Sequence, residues 1–239
     1  MLEFADVEHR FPGGDGVANL SCTVGPGEVV ALVGLNGAGK TTLMRLGLGM
    51  LRPQHGVIRI FGHPLTRLPT ERWAEVGALI DVPLAYPELT VAENLHIASL
   101  LHHGSSAHLE KSMATWNLTA LSRRRFRRLS LGNRQRVGLA AAMQHDPRLI
   151  VLDEPTNSLD PASVILLREQ ILRRAQEGAA VLVSSHHLDE VTRIAHRVLL
   201  MNAGRLIGEL DTSDTDLERV FFERIRADDE ERKLTEEAL

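Results

Sequence analysis

Gly34, Leu35, Asn36, Gly37, Ala38, Gly39, Lys40 and Thr41 stand in the spacing G-x-x-x-x-G-K-[ST], with Thr42 directly after. Such a loop can cradle a polyphosphate. Its glycines let successive backbone N–H groups curl round the anion, Lys40 reaches the β- and γ-phosphates, and the Thr41 hydroxyl meets Mg²⁺. A helix starting here points the positive end of its dipole at the same anion. The apolar run Val29 to Val33 before the loop and the helical pattern after it supply the strand and helix that this chemistry needs, which a plain glycine-rich turn does not.

A second acidic centre stands at Asp153 and Glu154, at the end of the apolar run Leu149 to Leu152. Beside a nucleotide, Asp153 can hold the Mg²⁺ shell and Glu154 can polarise an attacking water. Ser184-Ser-His186 follows the next apolar run and can bring an imidazole near a γ-phosphate. The remaining histidines, His102, His103 and His108 among them, lack metal-ligand spacing with Cys or carboxylates and read as surface residues.

The composition narrows the classes. A length of 239 residues with 44% hydrophobic content suffices for a buried core, and a net charge of −4 argues against a general binder of nucleic acid or anionic membranes. The single Cys22 excludes an internal disulfide and suits a reducing compartment. No apolar run approaches the ~18 residues of a membrane-spanning helix, and Met1-Leu-Glu-Phe-Ala-Asp6 lacks the pattern of a secretory leader. A cytosolic chain without direct membrane insertion is expected.

The elements that must position these residues follow from periodicity. Leu2 to Val7, Val17 to Val24 and Gly56 to Gly62 alternate as strands, the last expected near the edge of the same sheet as the phosphate loop. The helix after the loop is expected to reach about Leu51, where Arg52-Pro53 ends it. Between about 83 and 145 the pattern is helical, over Val91 to His103, Leu109 to Leu121 and Leu131 to His145, which reads as an insertion. Leu149 to Leu152, a helix from Pro161 to about Gln176, and Ala179 to Val183 give a strand-helix-strand rhythm. That rhythm predicts a parallel sheet with functional residues at the carboxyl ends of its strands. Val198 to Leu210 reads as a hairpin turning at Asn202-Ala-Gly204. After Asp211 the chain is charged and helical in pattern, with an apolar stripe of Leu217, Val220, Phe221 and Ile225.

With Leu129-Ser-Leu-Gly-Asn133 and Arg134-Gln-Arg136 added, the constellation resembles the nucleotide-binding subunit of ABC transporters over about residues 2–222. Ser130 is a good helix cap, Gly132 permits close approach, and the helix that follows favours an anion. The resemblance implies an α/β fold: a P-loop ATPase core with a mainly parallel sheet, an N-terminal antiparallel β subdomain and an inserted α-helical subdomain. Residues 1–212 would form the ATP-binding domain and 213–239 a charged helical tail. It also implies that Ser130, Gly132 and Asn133 reach the ATP of a second subunit, that Phe11 stacks on adenine, that Ser158-Leu-Asp160 is a dimer contact beside the nucleotide, and that His186 senses the γ-phosphate. The cofactors implied are ATP and Mg²⁺.

Two positions differ from the common family pattern. Asp81 stands where many members have Gln, and the signature reads Leu-Gly-Asn where Gly-Gly-Gln is usual. Both features, with the tail Asp216 to Phe222, resemble the branch that exports drugs and antimicrobial peptides, which usually carries Glu at the Gln position. Asp81 is thereby implied near the metal and the catalytic water, one methylene shorter than that Glu. The expected protein is an ATPase subunit, peripheral on the inner face of the membrane, that dimerises with itself or a close homologue and drives a separate permease, with no nucleic acid as ligand. The alternatives are a soluble ABC-type ATPase acting on nucleic acid, the ribosome or a protein machine, and an importer subunit. The run Arg123-Arg-Arg-Phe-Arg-Arg128 reads as a solvated face or as electrostatic support for the phosphate site.

Overall fold

The computed structural model describes residues 1–102, 104, 106–211 and 216–237. Two sheets organise them. A six-stranded sheet has the order β10-β9-β3-β8-β7-β6, with β3 (Val29–Val33), β6 (Val76–Leu79), β7 (Leu149–Leu152), β8 (Ala180–Ser185) and β9 (Arg197–Asn202) parallel and β10 (Arg205–Leu210) antiparallel at one edge. A four-stranded antiparallel sheet has the order β2-β1-β4-β5, from β1 (Leu2–Arg10), β2 (Gly16–Val24), β4 (His55–Ile60) and β5 (His63–Pro64).

The central strands are apolar without alternation because both of their faces are covered. Val29, Ala31 and Val33 face one core with Ile150, Leu152, Val181 and Val183, while Val30 and Leu32 face another with Leu149, Val151, Ala180 and Leu182. The first core is roofed by helices. The second lies against α1 (Lys40–Gly47) and the antiparallel sheet. Registers set Leu79 beside Leu152, Leu152 beside Val183, and Val33 beside Ser185. The phosphate loop, Asp153 and His186 therefore leave the sheet at one edge, as a parallel sheet requires.

Two expectations need correction. The strand beginning near Gly56 belongs to the antiparallel sheet, between β1 and β5, and not to the sheet of the phosphate loop. Its buried Ile58 and Ile60 alternate with more exposed neighbours, as in a sheet with one covered face. The helix after the loop stops at Gly47, four residues early, because Gly49 at φ 69° turns the chain out of the helix.

The helical insertion comprises α2 (Val91–Leu101), α3 (Ser106–Thr115) and α4 (Leu131–Met143). Thr90 and Glu93 form a reciprocal capping box on α2, which satisfies two backbone donors otherwise left open at a helix start. The expected end of α2 at His103 lies outside the described residues. α5 (Pro161–Gln176) has the predicted bounds, with Asp160 as cap and Pro161 at its first position. The β9–β10 turn carries Ala203 at φ 44° and Gly204 at φ 79°, the left-handed pair of a type I′ hairpin. α7 (Leu217–Glu237) lays Leu217, Val220, Phe221 and Ile225 on the first core, and Asn202 donates to Asp228 and Asp229 at 2.9 and 2.8 Å.

Candidate functional site

A pocket of about 390 Å³ opens at the carboxyl edge of the sheet, lined by Phe11, Asp15, Gly16, Asn36, Gly37, Ala38, Gly39, Lys40, Thr41, Thr42 and Glu154. Gly39 caps α1 at φ 100°, and a Cβ there would lie 2.8 Å from the Gly16 carbonyl oxygen. Only glycine fits both demands. Lys40 is buried at 6% exposure, and its Nζ donates to the Gly34 carbonyl at 2.7 Å and the Leu35 carbonyl at 3.3 Å. Its charge is met by Glu154 Oε1 at 3.4 Å. An ammonium so held is an anchor for an incoming phosphate, since few other charges compete for it.

Behind the loop a chain of hydrogen bonds fixes the two carboxylates. Thr41 Oγ1 donates to Asp153 Oδ2 at 2.7 Å, and Ser184 Oγ donates to Asp153 Oδ1 at 2.6 Å. The same Ser184 hydroxyl accepts from the Glu154 backbone N–H at 2.8 Å. Glu154 then meets His186: its Oε2 lies 2.7 Å from Nδ1 and accepts from the His186 backbone N–H at 3.3 Å. Glu154 adopts φ 45°, in the left-handed region that side-chain-bearing residues seldom enter.

Hard oxygen donors from Thr41 and Asp153, side by side and beside a phosphate pocket, fit Mg²⁺, which takes one or two protein ligands and completes its shell with phosphate and water. Among the described residues no group of three His, Cys, Asp or Glu side chains could hold a metal by itself.

Asp81 departs from its expected place. It sits at φ 58° just past β6, its carboxylate binds Arg45 Nη2 at 2.5 Å, and it does not line the pocket. The guanidinium on α1 draws the short side chain to itself. A carboxylate cluster of Asp81 with Asp153 and Glu154 is absent among the described residues.

The signature residues also lie outside this chain's own pocket. Ser130 caps α4, accepting from the Asn133 N–H at 3.4 Å, and the Asn133 side chain accepts from Arg136. Asp160 caps α5 by accepting from the Ser163 N–H at 2.8 Å, and that bond holds its carboxyl below the usual carboxylate range. Gly132 abuts Ser158, whose carbonyl oxygen would be 2.6 Å from a Cβ at 132. The arginine run is partly engaged: Arg125 and Arg127 pair with Glu88 at 3.6 and 3.3 Å, and Phe126 is buried under Arg134.

Asp15 and Gly16, which line the pocket, and the role of Ser184 are what sequence reasoning passed over. Ser184 has no exposure and ties Asp153 to Glu154, and its only signal was a hydroxyl at the end of an apolar strand.

Residues 17–157 match the family model described as ABC transporter. The chain is 36% identical over 200 residues to the bacitracin transport ATP-binding protein BcrA of Enterococcus faecalis, covering 83% of this chain and 65% of that one. It therefore spans just under two thirds of that relative's length. It is 33% identical over 214 residues to the SkfA peptide export ATP-binding protein SkfE of Bacillus subtilis (strain 168), covering 88% and 89% of the two chains. A solved structure of an ATP binding subunit of an ABC transporter superposes with a TM-score of 0.83 at 28% identity, over 92% of this chain and 94% of that one.

Proposed function

The chain belongs to the ABC transporter family, and from that membership we propose that it is the ATP-binding and ATP-hydrolysing subunit of an exporter. Residues 1–212 serve as the ATP-binding domain and 213–239 as its tail, the boundary between them lying outside the described residues. The observation that carries this reading is the bonded series Thr41, Asp153, Ser184, Glu154, His186 at the rim of the phosphate pocket.

The loop backbone from Gly34 to Gly39 and the Lys40 ammonium bind the phosphates, and Phe11, at the pocket's far side, offers its ring to adenine. Thr41 and Asp153 would hold Mg²⁺, which would supply neutralisation of charge on the phosphates. Glu154 takes a proton from the attacking water, and His186 orients the Glu154 carboxylate and reaches the γ-phosphate. Positioning supplies most of such a reaction, so the tight bonding behind Asp153 and Glu154 is the protein's main contribution.

The signature supports dimerisation. Ser130, Gly132 and Asn133 have the form of an anion site at the start of α4 but stand outside this chain's pocket, so they serve the nucleotide of a second subunit. The exposed Val82, Leu84 and Tyr86 supply a docking surface for a membrane-spanning permease, with exposures of 66, 90 and 60%. No helix among the described residues is long and apolar enough to cross a membrane. Names of the bacitracin and SkfA relatives support a peptide or antibiotic as cargo. The test is ATP hydrolysis by the chain with and without Glu154→Gln; turnover that does not depend on Glu154 overturns the assignment.

A further inference from the structure

Beyond Ser185 the chain has little local structure with which to aim His186. The helix that follows, α6 (Leu188–Val191), is four residues long. It is anchored by Ser185 Oγ, which accepts from His187 N–H at 2.9 Å and donates to the His187 carbonyl at 3.2 Å, and by the buried Val191 and Ile194. Such a short helix gains almost nothing from its own hydrogen bonds, so its position depends on what it is tied to.

Between α6 and α5 lies a cavity of about 10 Å³, lined among others by Thr156, Arg168, Ser184 and Glu190. Arg168, on α5, has its Nε buried without a hydrogen-bond partner, and Glu190, on α6, has its Oε2 buried without one. A donor belonging to a cation and an acceptor belonging to an anion thus border the same space. Buried polar atoms are costly unless bonded, and a space of this size holds about one water molecule when polar partners line it.

We propose that Arg168 and Glu190 form a positioning pair, joined across this cavity by one water, that fixes α6 against α5 and so aims His186 at Glu154. Removing either side chain's partner group leaves the other's buried atom without a hydrogen bond across the cavity. α5 begins at Pro161, three residues after Ser158, whose carbonyl abuts Gly132 of the signature helix. The pair therefore connects the segment carrying His186 to the element that meets the signature. This role presupposes that Glu154 and His186 act in ATP hydrolysis as proposed above.

The test uses the full chain, with ATP turnover and hydrogen–deuterium exchange measured on wild type, Glu154→Gln, Arg168→Met, Glu190→Gln and the double variant Arg168→Met/Glu190→Gln. Each single change is expected to lower kcat about tenfold with KM for ATP within about twofold, and the double variant to lose no more than the worse single, because either change alone already breaks the link. Exchange over 186–195 should quicken in each single variant while α5 stays protected. Unchanged kcat and exchange in the singles, or a double variant slower than either single, overturns the pair. Should a single variant fail to fold, the double decides: folded with faster exchange over 186–195 supports the link, and wild-type protection there, or a double that also fails to fold, overturns it. If wild type shows no turnover dependent on Glu154, the ATPase reading fails, and exchange still decides the pair.

Discussion

Glu154 and His186 share a contact of 2.7 Å while the other oxygen of the same carboxylate lies 3.4 Å from the Lys40 ammonium. One carboxylate thus answers to both the phosphate anchor and the imidazole. Glu154→Gln keeps the shape of these contacts but cannot accept a proton. It is expected to lower turnover at least about a hundredfold while leaving ATP affinity within severalfold, a pattern read by single-turnover kinetics and equilibrium binding.

Ser184→Ala removes a donor to Asp153 and strips the Glu154 N–H of its acceptor at a fully buried position. The expected cost is about 1–3 kcal/mol of stability, with a loss of kcat of about tenfold. Cysteine at 184, a weak donor and acceptor, should fall between. Equal kcat for the Ala variant and wild type would show that Asp153 and Glu154 hold their places without the hydroxyl.

Ser130→Arg should leave ATP binding to the monomer intact and abolish the ATP-bound dimer, because Ser130 lies outside this chain's own pocket. Light scattering after size exclusion, in the Glu154→Gln background where ATP persists, reads the outcome. A dimer surviving in that double variant excludes a signature-to-nucleotide sandwich.

Tyr86 separates docking from folding. Its ring is 60% exposed, and the loop around it is held instead by Asn94, which accepts from the Tyr86 N–H at 2.7 Å and donates to the carbonyls of Tyr86 and Thr90. Tyr86→Ala should therefore shift Tm by no more than about 2 °C while weakening co-purification with the permease. Asn94→Ala should lower both, since it leaves the Tyr86 N–H without its acceptor and removes the side chain that ties the loop to α2.

His145, expected at the surface, is instead packed away from solvent against His102 and gives the stability a pH dependence. Its ring stacks on His102 at 3.8 Å, and burial, aided by charge on His102, lowers its pKa from 6.5 to about 3. Between these values the unfolded chain carries the proton and the folded chain does not, so stability is present above pH 6.5 and is lost as pH falls below it. The slope from this group approaches about 1.4 kcal/mol per pH unit. Denaturant unfolding at pH 7 and pH 5 should show the loss, and His145→Gln should flatten that part of the profile.

What the sequence disclosed and what it hid divide along sequence distance. α5 was legible because Asp160, Pro161 and the apolar spacing are local signals, and the β9–β10 turn was legible because Gly204 follows Asn202-Ala203 between two apolar runs, although Ala203 itself takes the left-handed region against its preference. The phosphate loop and Asp153-Glu154 were legible for the same reason: each is a short run whose spacing is its chemistry. Asp81 was misplaced because the partner that draws it away, Arg45, stands 36 residues earlier and no spacing rule links them. Ser184 was overlooked because its work is done on residues 30 and 31 positions away. The sheet assignment of β4 failed likewise, since alternation tells that one face is covered and not which neighbour covers it.

The left-handed backbone at Glu154 has an evolutionary reading. A position whose φ of 45° suits glycine is occupied by the carboxylate proposed as the base for turnover, so the fold carries conformational strain at that residue. Glu154→Gly and Glu154→Ala both lack that carboxylate and differ only in the backbone, and the glycine variant should unfold later by about 1 kcal/mol. Selection for stability alone would drift toward glycine here, and under the proposed role the glutamate marks a site where stability is given up for chemistry.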